Sequence, residues 1–167
     1  FELKSKKIIN NIGVSVYTPE ELIHILDRFD LDMVQIPMNI FDQRFKNEGL
    51  LHLLEQKGIN VHVRSVFLQG ILLKNPQELP EYFNKWKSSF ELFHNYCREI
   101  NAEPLQVILS QILNEEKIDK VILGFDSIKS VYEIIYEINT LKNISFNNLL
   151  FSKTDINLIE PRLWPSA

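Results

Sequence analysis

A Val-rich stretch, residues 61–70, carries polar side chains that could hold a ligand. His62 and Arg64 alternate with valines, and the stretch ends in Gln69 and Gly70, where the backbone can turn sharply. A strand that is buried on both faces does not carry His and Arg in its middle. The pattern therefore predicts a strand that feeds a ligand-binding loop at its C-terminal end.

Similar chemistry stands at the ends of three other predicted strands. Ser15 and Gln35 offer a hydroxyl and an amide, which both donate and accept hydrogen bonds. Gly124 to Ser127 opens a predicted helix, and a helix N-terminus is a ready anion site. Barrels and open α/β sheets place their ligands at the C-terminal ends of their strands. We therefore expect these groups to contribute to one ligand site.

Strands and helices alternate along the chain, with one extra helix before the fourth strand. Alternation of this kind predicts a parallel sheet with right-handed crossovers. Two closures fit: an open doubly wound sheet, or half of an eight-stranded barrel, for which four strand–helix units are the right count. The predicted strands cover residues 11–16, 32–38, 59–66 and 120–125, and Pro37 marks the end of the second.

Helix signals accompany the strands. Thr18 caps a helix in which Pro19 comes first and Glu21 completes a capping box. Leucines at 50–54 form a helix that Gly58 ends. Residues 1–10 are predicted to be the tail of a helix, and residues 39–47 a loop.

The second half of the chain is predicted to contain four more helices. The first is long, and one of its faces is formed by Phe83, Trp86, Phe90, Phe93 and Cys97, whereas the second starts at Glu103-Pro104. The third is capped by Asp126 or Ser127 and has the core face Val131, Ile134, Ile135, Ile138 and Leu141, and a short fourth helix follows Asp155.

Length and composition describe one globular domain. The chain has 167 residues, 45% of them hydrophobic and 24% charged, with net charge -4 and pI near 5.6. The acidic balance argues against nucleic acid or an anionic membrane as the main partner, and no apolar run approaches the roughly 20 residues of a membrane span. Cys97 is the only cysteine, so a reducing cytoplasm is expected, and no histidines are spaced as metal ligands.

Taken in order, the strand-end motifs resemble those of the aldo/keto reductases. The resemblance covers nearly the whole chain, and it implies strands five to eight of a (β/α)8 barrel. The matching pieces are Ile12-Gly13-Val14-Ser15, Val34-Gln35, Arg64-Ser65 through Gln69-Gly70, and Gly124-Phe125-Asp126-Ser127 with Glu133, and Pro161-Arg162-Leu163-Trp164 is similar to the C-terminal end of one bacterial branch.

The resemblance implies a parallel (β/α)4 half of a TIM barrel, with an extra helix before the last strand and a C-terminal extension. Residues 1–167 would be a single domain, the C-terminal half-barrel, with the N-terminal half absent. The family's catalytic Asp, Tyr, Lys and His come from earlier strands, and no positions in this sequence correspond to them. The chain would therefore carry much of the cofactor site and no catalytic residue.

The resemblance further implies a nicotinamide cofactor, NADP or NAD, and a small carbonyl substrate. Arg64 falls where the family often has an aromatic ring that stacks on the nicotinamide. Ser15 and Gln35 are expected to contact the carboxamide, and the backbone amides of Ser65, Leu68 and Gly70 the pyrophosphate. The adenosine ribose or its phosphate is expected to contact Gly124, Asp126, Ser127 and Ser130, and the adenine is expected to contact Glu133.

Two departures from the family pattern bear on the cofactor. Val16 replaces an Asn that usually contacts the carboxamide, so one contact is lost. NADP-specific members usually have basic residues after the last strand, whereas here Asp126 would repel a phosphate and Lys129 is the only nearby cation. The second departure weakens the case for NADP and leaves NAD, or no binding, open.

Three functions remain open from the sequence. One is the cofactor-binding half of an oxidoreductase that transfers a hydride between a nicotinamide and a carbonyl. Another is a non-catalytic half-barrel, which would pair with a copy of itself through its exposed sheet edges and bind a nucleotide, or nothing. The third is an open α/β domain that binds a nucleotide or a phosphate.

Overall fold

A computed structural model of the chain describes residues 2–141, 144 and 148–165. The sheet has four parallel strands, and their order in space is their order in the sequence. In that register Ser15 lies beside Gln35, Gln35 beside His62, and His62 beside Lys120, so these four residues form one row across the sheet. The strands are β1 (Gly13–Ser15), β2 (Met33–Pro37), β3 (Asn60–Arg64) and β4 (Lys120–Val121).

The described helices connect the strands and follow the last one. The extra helix between β3 and β4 is present, because two long helices occur there. The α-helices are α1 (Glu2–Ser5), α2 (Pro19–Leu26), α3 (Arg44–Asn47), α4 (Leu50–Gln56), α5 (Lys87–Glu99), α6 (Pro104–Leu113), α7 (Ile128–Asn139), α8 (Asn148–Phe151) and α9 (Ile156–Ile159), and the 3-10 segments are Ile71–Leu73, Pro76–Glu78, Glu81–Trp86 and Pro161–Leu163.

The sheet has one covered face and one open face. Side chains alternate along a strand, and Val34, Ile36, Val61 and Val63 are buried in a cluster with apolar side chains of the helices. On the opposite face lies the row of Ser15, Gln35, His62 and Lys120, which is exposed at both ends and half-buried in the middle. A doubly wound sheet reverses its strand order and covers both faces, whereas a barrel keeps sequential order. The prediction of barrel-type α/β structure is confirmed, and the doubly wound alternative is wrong.

The predicted helix starts occur where the capping residues placed them. Thr18 Oγ1 accepts a hydrogen bond from the Glu21 amide (3.2 Å). The Glu21 carboxylate accepts from the Tyr17 amide (2.7 Å), one residue further upstream than in a standard capping box. Ser127 is the N-cap of α7, since its Oγ accepts from the Ser130 amide (3.1 Å).

All four strands are shorter than predicted, and the early ends of β3 and β4 shape the cleft. β3 ends at Arg64 because Ser65 has a φ of 61°, which is incompatible with a strand. β4 ends at Val121, and its last bond to β3 runs from the Ile122 amide to the Val63 carbonyl (2.8 Å). Because β4 is an edge strand, the chain can leave the sheet there at little cost, and residues 122–125 become the wall of a cleft.

The predicted loop 39–47 contains the short helix α3, which was not foreseen. The buried Asn39 Oδ1 accepts from the amides of Phe41 and Asp42 (2.9 and 3.0 Å). Asp42 Oδ1 in turn accepts from the Arg44 amide (3.4 Å). These side chains satisfy backbone donors as a cap does, so the turn continues into a helix.

Three helices also differ from their predictions. The aromatic segment begins as a 3-10 turn and becomes α-helical only at Lys87, because Trp86 adopts φ -111° and ψ 8°. α1 ends at Ser5, and Lys7 with a φ of 57° prevents its extension to residue 10. In α7 the predicted core face is largely uncovered. Ile134 is buried, whereas Ile135 and Ile138 are exposed.

Gly13 is required in β1 by the close approach of β2. A Cβ added there would lie 2.2 Å from Met33 Cγ and 2.9 Å from the Met33 carbonyl oxygen. We expect Gly13→Ala to lower the free energy of unfolding by about 1–3 kcal/mol, because the strand backbones must shift. Gly124→Ala is the control, since nothing lies within 4 Å of its Cβ. Urea unfolding measures both variants, and equal losses of stability would contradict the expectation.

Candidate active site

A cleft of about 620 Å³ opens at the C-terminal ends of β3 and β4. One wall is the turn after β3, residues 65–70, and the other is the segment from residue 122 to the start of α7. The structure thus brings together six of the predicted site residues, which are Arg64, Ser65, Gly70, Gly124, Asp126 and Ser130.

The turn after β3 has an unusual backbone. Ser65, Leu68, Gln69 and Gly70 all have positive φ, of 61°, 48°, 55° and 79°. Left-handed backbone costs energy in residues other than glycine and occurs preferentially where function requires it. Successive backbone amides in a turn can also form a concave surface that binds an anion.

The hydrogen bonds of the turn separate its amides into two groups. The Leu68 amide donates to the Ser65 carbonyl (3.0 Å), and the Leu68 side chain is fully buried. The amides of Gln69 and Gly70 donate to no acceptor among residues 2–141, 144 and 148–165. Leu68 therefore anchors the turn, and the two amides after it remain for a ligand.

Asn39 holds the turn from β2 and was not found by sequence reasoning. Its Nδ2 donates to the Ser65 carbonyl (3.1 Å), while its Oδ1 organises the turn that leads to α3. The side chain is fully buried. A polar residue directly after the predicted strand 32–38 was a usable signal, but its partner lies 26 residues away along the chain.

The start of α7 forms a small polar cluster. Ser130 Oγ donates to Asp126 Oδ1 (2.8 Å) and lies 2.7 Å from Ser127 Oγ. Hydrogen bonds from Ser130, from the Asp126 amide and from Ser127 lower the pKa of the Asp126 carboxyl, so it is ionised at neutral pH. Lys129 and Glu133 form an exposed ion pair (3.6 Å). The cleft lining contains Asp126 and Ser130 but neither Ser127 nor Glu133.

Ser15 and Gln35 lie outside the cleft, on the open face of the sheet. They are neighbours across β1 and β2, and Gln35 also neighbours His62. The Gln35 side chain is half-buried. The pair therefore belongs to the open face and not to the cleft.

Arg64 joins the cleft to the open face. Its Nη1 donates to Ser65 Oγ (3.2 Å), and its Nη2 donates to the Val16 carbonyl at the end of β1 (3.1 Å). The guanidinium carbon lies 4.3 Å from the centroid of the Tyr17 ring. The residue at the expected nicotinamide position thus already stacks on an aromatic ring of its own chain.

Besides the predicted Arg64, Tyr17 contacts Arg162 and Arg44, and none of these three other residues was predicted as a site residue. Arg162 of the C-terminal extension lies 3.4 Å from the Tyr17 ring centroid, and Arg44 donates to the Tyr17 carbonyl (3.3 Å). Arg44 also binds the fully buried Asp42 carboxylate through Nε and Nη2 (both 2.8 Å). Hydrogen bonding to Asp42 raises the pKa of Arg44.

Other reactive groups do not extend the site. Within the described residues there is no group of His, Cys, Asp and Glu that could hold a metal ion. Cys97 is buried on α5, and burial raises the pKa of its thiol to about 12. None of the described helices has the length and apolar character needed to cross a membrane.

Fold and cleft together define a barrel-type α/β protein with a cleft at the C-terminal ends of two of its strands. The Aldo/keto reductase family profile matches residues 2–152, and the chain belongs to that family. No curated protein matches the sequence.

Solved structures of aldo-keto reductases share the fold. The holo form of AKR11C1 from Bacillus halodurans has a TM-score of 0.66 and 22% identity, covering 87% of this chain and 55% of that one. The apo form of that protein has a TM-score of 0.68 and 21% identity, with coverages of 87% and 56%. The glycerol dehydrogenase AKR11B4 from Gluconobacter oxydans has a TM-score of 0.52 and 13% identity, covering 87% of this chain and 54% of that one. The chain therefore spans about half the length of these structures.

Proposed function

We propose that the chain is the C-terminal half of an aldo/keto-reductase barrel of a bacterial branch, with β1 to β4 as barrel strands five to eight. The whole protein would be a cytoplasmic oxidoreductase that transfers a hydride between a nicotinamide cofactor and a small carbonyl substrate. The observation that carries this proposal is the cleft, which collects predicted site residues from the ends of two neighbouring strands.

The turn at residues 65–70 fits a pyrophosphate. Two successive amides, of Gln69 and Gly70, have no acceptor among the described residues, and they lie in left-handed backbone. Nothing lies within 4 Å of the point where a Gly70 Cβ would stand, so a ligand can approach the backbone there. Ser65 would contribute its amide, and Leu68 would hold the turn in shape.

The remaining predicted residues would hold the two ends of the cofactor. Ser15 and Gln35 would bind the nicotinamide carboxamide on the open face, and Arg64 would border that end of the cleft. Gly124, Asp126, Ser127, Ser130 and Glu133 would surround the adenosine. When bound, the cofactor supplies the hydride. In this proposal the chain orients it, and a preceding half-barrel carries the catalytic Asp, Tyr, Lys and His.

The start of α7 favours NAD over NADP. The ionised Asp126 borders the cleft, and the nearby cation Lys129 is already paired with Glu133. A 2′-phosphate in this region would meet a negative charge and no free counter-charge. We expect NADPH to bind about tenfold more weakly than NADH, since a like charge at close range costs roughly 1 kcal/mol or more.

Two glycines of the same backbone type allow a sharp test of the cofactor site. Gly70 and Gly58 have φ of 79° and 66°, and nothing lies within 4 Å of either Cβ position. Ala at either position strains the backbone similarly, but only Gly70 lines the cleft. We expect Gly70→Ala in the full-length protein to weaken NADH binding at least tenfold and Gly58→Ala to leave it unchanged.

The measurement is a calorimetric titration of the full-length protein with NADH and with NADPH, followed in parallel by quenching of Trp fluorescence. Absence of binding by the unaltered protein would disprove the cofactor site. Equal effects of the two alanine variants would place the cofactor away from the turn.

A further inference from the structure

Three arginines meet at one tyrosine at the mouth of the open face. The guanidinium carbons of Arg162 and Arg64 lie 3.4 Å and 4.3 Å from the Tyr17 ring centroid. Arg44 Nη2 donates to the Tyr17 carbonyl oxygen (3.3 Å). The three cations come from the loop after β2, from the end of β3 and from the C-terminal extension, so the fold itself assembles the cluster.

Two of these cations have a carboxylate partner. The Asp42 carboxylate accepts two hydrogen bonds from Arg44, and Glu160 pairs with Arg162. Arg64 takes part in none of the ion pairs of the described residues. Its guanidinium donates instead to the Val16 carbonyl and to the Ser65 hydroxyl. A guanidinium has five donors, so charge and hydrogen-bonding capacity both remain at Arg64.

The Arg64 head group contacts the first residue of the turn that is proposed to bind the pyrophosphate, because its Nη1 donates to Ser65 Oγ (3.2 Å), and it extends from there to the end of β1. Arg64 is the last residue of β3, yet its guanidinium reaches Val16 at the end of β1, on the far side of β2. The turn at residues 65–70 and its cleft lie toward β4. Because Arg64 also lines that cleft, an anion at its guanidinium would lie beside the cofactor and over the open face.

We propose that Arg64 binds the carboxylate of the substrate, so that the substrates are oxo acids: aldehydes or ketones that carry a carboxylate near the reducible carbonyl. This proposal rests on the proposed function of the same site. A guanidinium recognises a carboxylate through two parallel hydrogen bonds, and stacking on an aromatic ring fixes its plane. Tyr17 is the positioning residue, because its ring holds the guanidinium in place.

The test compares acids with their uncharged amides in the full-length protein. The probes are pyruvate with pyruvamide and 4-oxobutanoate with 4-oxobutanamide, with NADH as the reductant. The readout is the ratio of kcat/KM for an acid to kcat/KM for its amide. We expect Arg64→Met to lower this ratio ten- to a hundredfold, the usual effect of removing a hydrogen bond to a charged group. Arg64→Lys should retain part of the ratio, and Arg28→Met, at an exposed residue after α2, should retain all of it.

A second measurement does not depend on activity. Calorimetric titration of the cofactor-free protein with each acid should show binding that Arg64→Met abolishes and Arg28→Met preserves. A kcat/KM ratio near one in the unaltered protein, or a ratio that Arg64→Met leaves unchanged, would overturn the proposal.

NADH titration of the same variants separates this proposal from the proposed function. Loss of NADH affinity in Arg64→Met as large as the loss for the acids would show that the anion at Arg64 is a cofactor phosphate, and the proposal would be wrong. Failure of the unaltered protein to bind NADH would disprove the proposed function. The calorimetric titrations with the acids would then decide whether Arg64 binds a carboxylate at all.

Discussion

Replacing Arg44 with methionine is expected to lower the free energy of unfolding by about 3–5 kcal/mol, because it leaves a buried carboxylate without its counter-charge. The Asp42 side chain is 0% exposed, and Arg44 supplies two hydrogen bonds to it at 2.8 Å. The variant also loses the bond from Arg44 to the Tyr17 carbonyl. We therefore expect the turn after β2 to loosen together with the end of β1.

The double variant Asp42→Asn/Arg44→Met tests this explanation. It removes the buried charge as well as its partner, so the loss should shrink to about 1–2 kcal/mol. Lys6→Met is the matched control, since it breaks the exposed pair with Glu2 and should change stability by less than about 1 kcal/mol. Urea unfolding at neutral pH measures all three. A double variant no more stable than Arg44→Met would rule out the orphaned charge as the cause.

Local signals in the sequence were sufficient for the order of the elements and for the strand ends that line the cleft. The cap at Thr18, the stop at Gly58 and the N-cap at Ser127 depend on residues within four positions of each other. These local signals left the choice between barrel and doubly wound sheet open, because strand order depends on which face each crossover covers, and only the family resemblance predicted the half-barrel. That information lies in the sheet order and not in any one segment.

The parts of the site that escaped prediction are contacts between distant segments. Asn39 binds Ser65 across 26 positions, and Arg162 reaches Tyr17 from the opposite end of the chain. No periodicity or motif records such pairs. The exposure of apolar residues on α7 also depends on contacts between distant segments. Apolar side chains recur at helical spacing on two faces of this helix, and the described chain covers only one of these faces.

That second apolar face of α7 leads to the other large expected effect. Ile128, Tyr132 and Tyr136 are 76%, 69% and 66% exposed and stand at helical spacing, with Ile135 between them. In the described part of the chain, β4 pairs only with β3, so its other edge is open. Exposed apolar patches and open strand edges promote association. We expect the isolated 167-residue chain to associate with a second copy of itself through this surface.

Ile128→Glu/Tyr132→Lys is expected to convert that assembly to a monomer at the same protein concentration, because it places charges in the middle of the patch. The new residues form a favourable i,i+4 pair on α7, so helicity should be retained. Leu92→Lys, at an exposed apolar residue on α5, is the control and should remain associated. Sedimentation velocity measures the state of each variant, and circular dichroism confirms folding. A monomeric unaltered chain would show that α7 needs no partner, and association that survives the double variant would place the contact elsewhere.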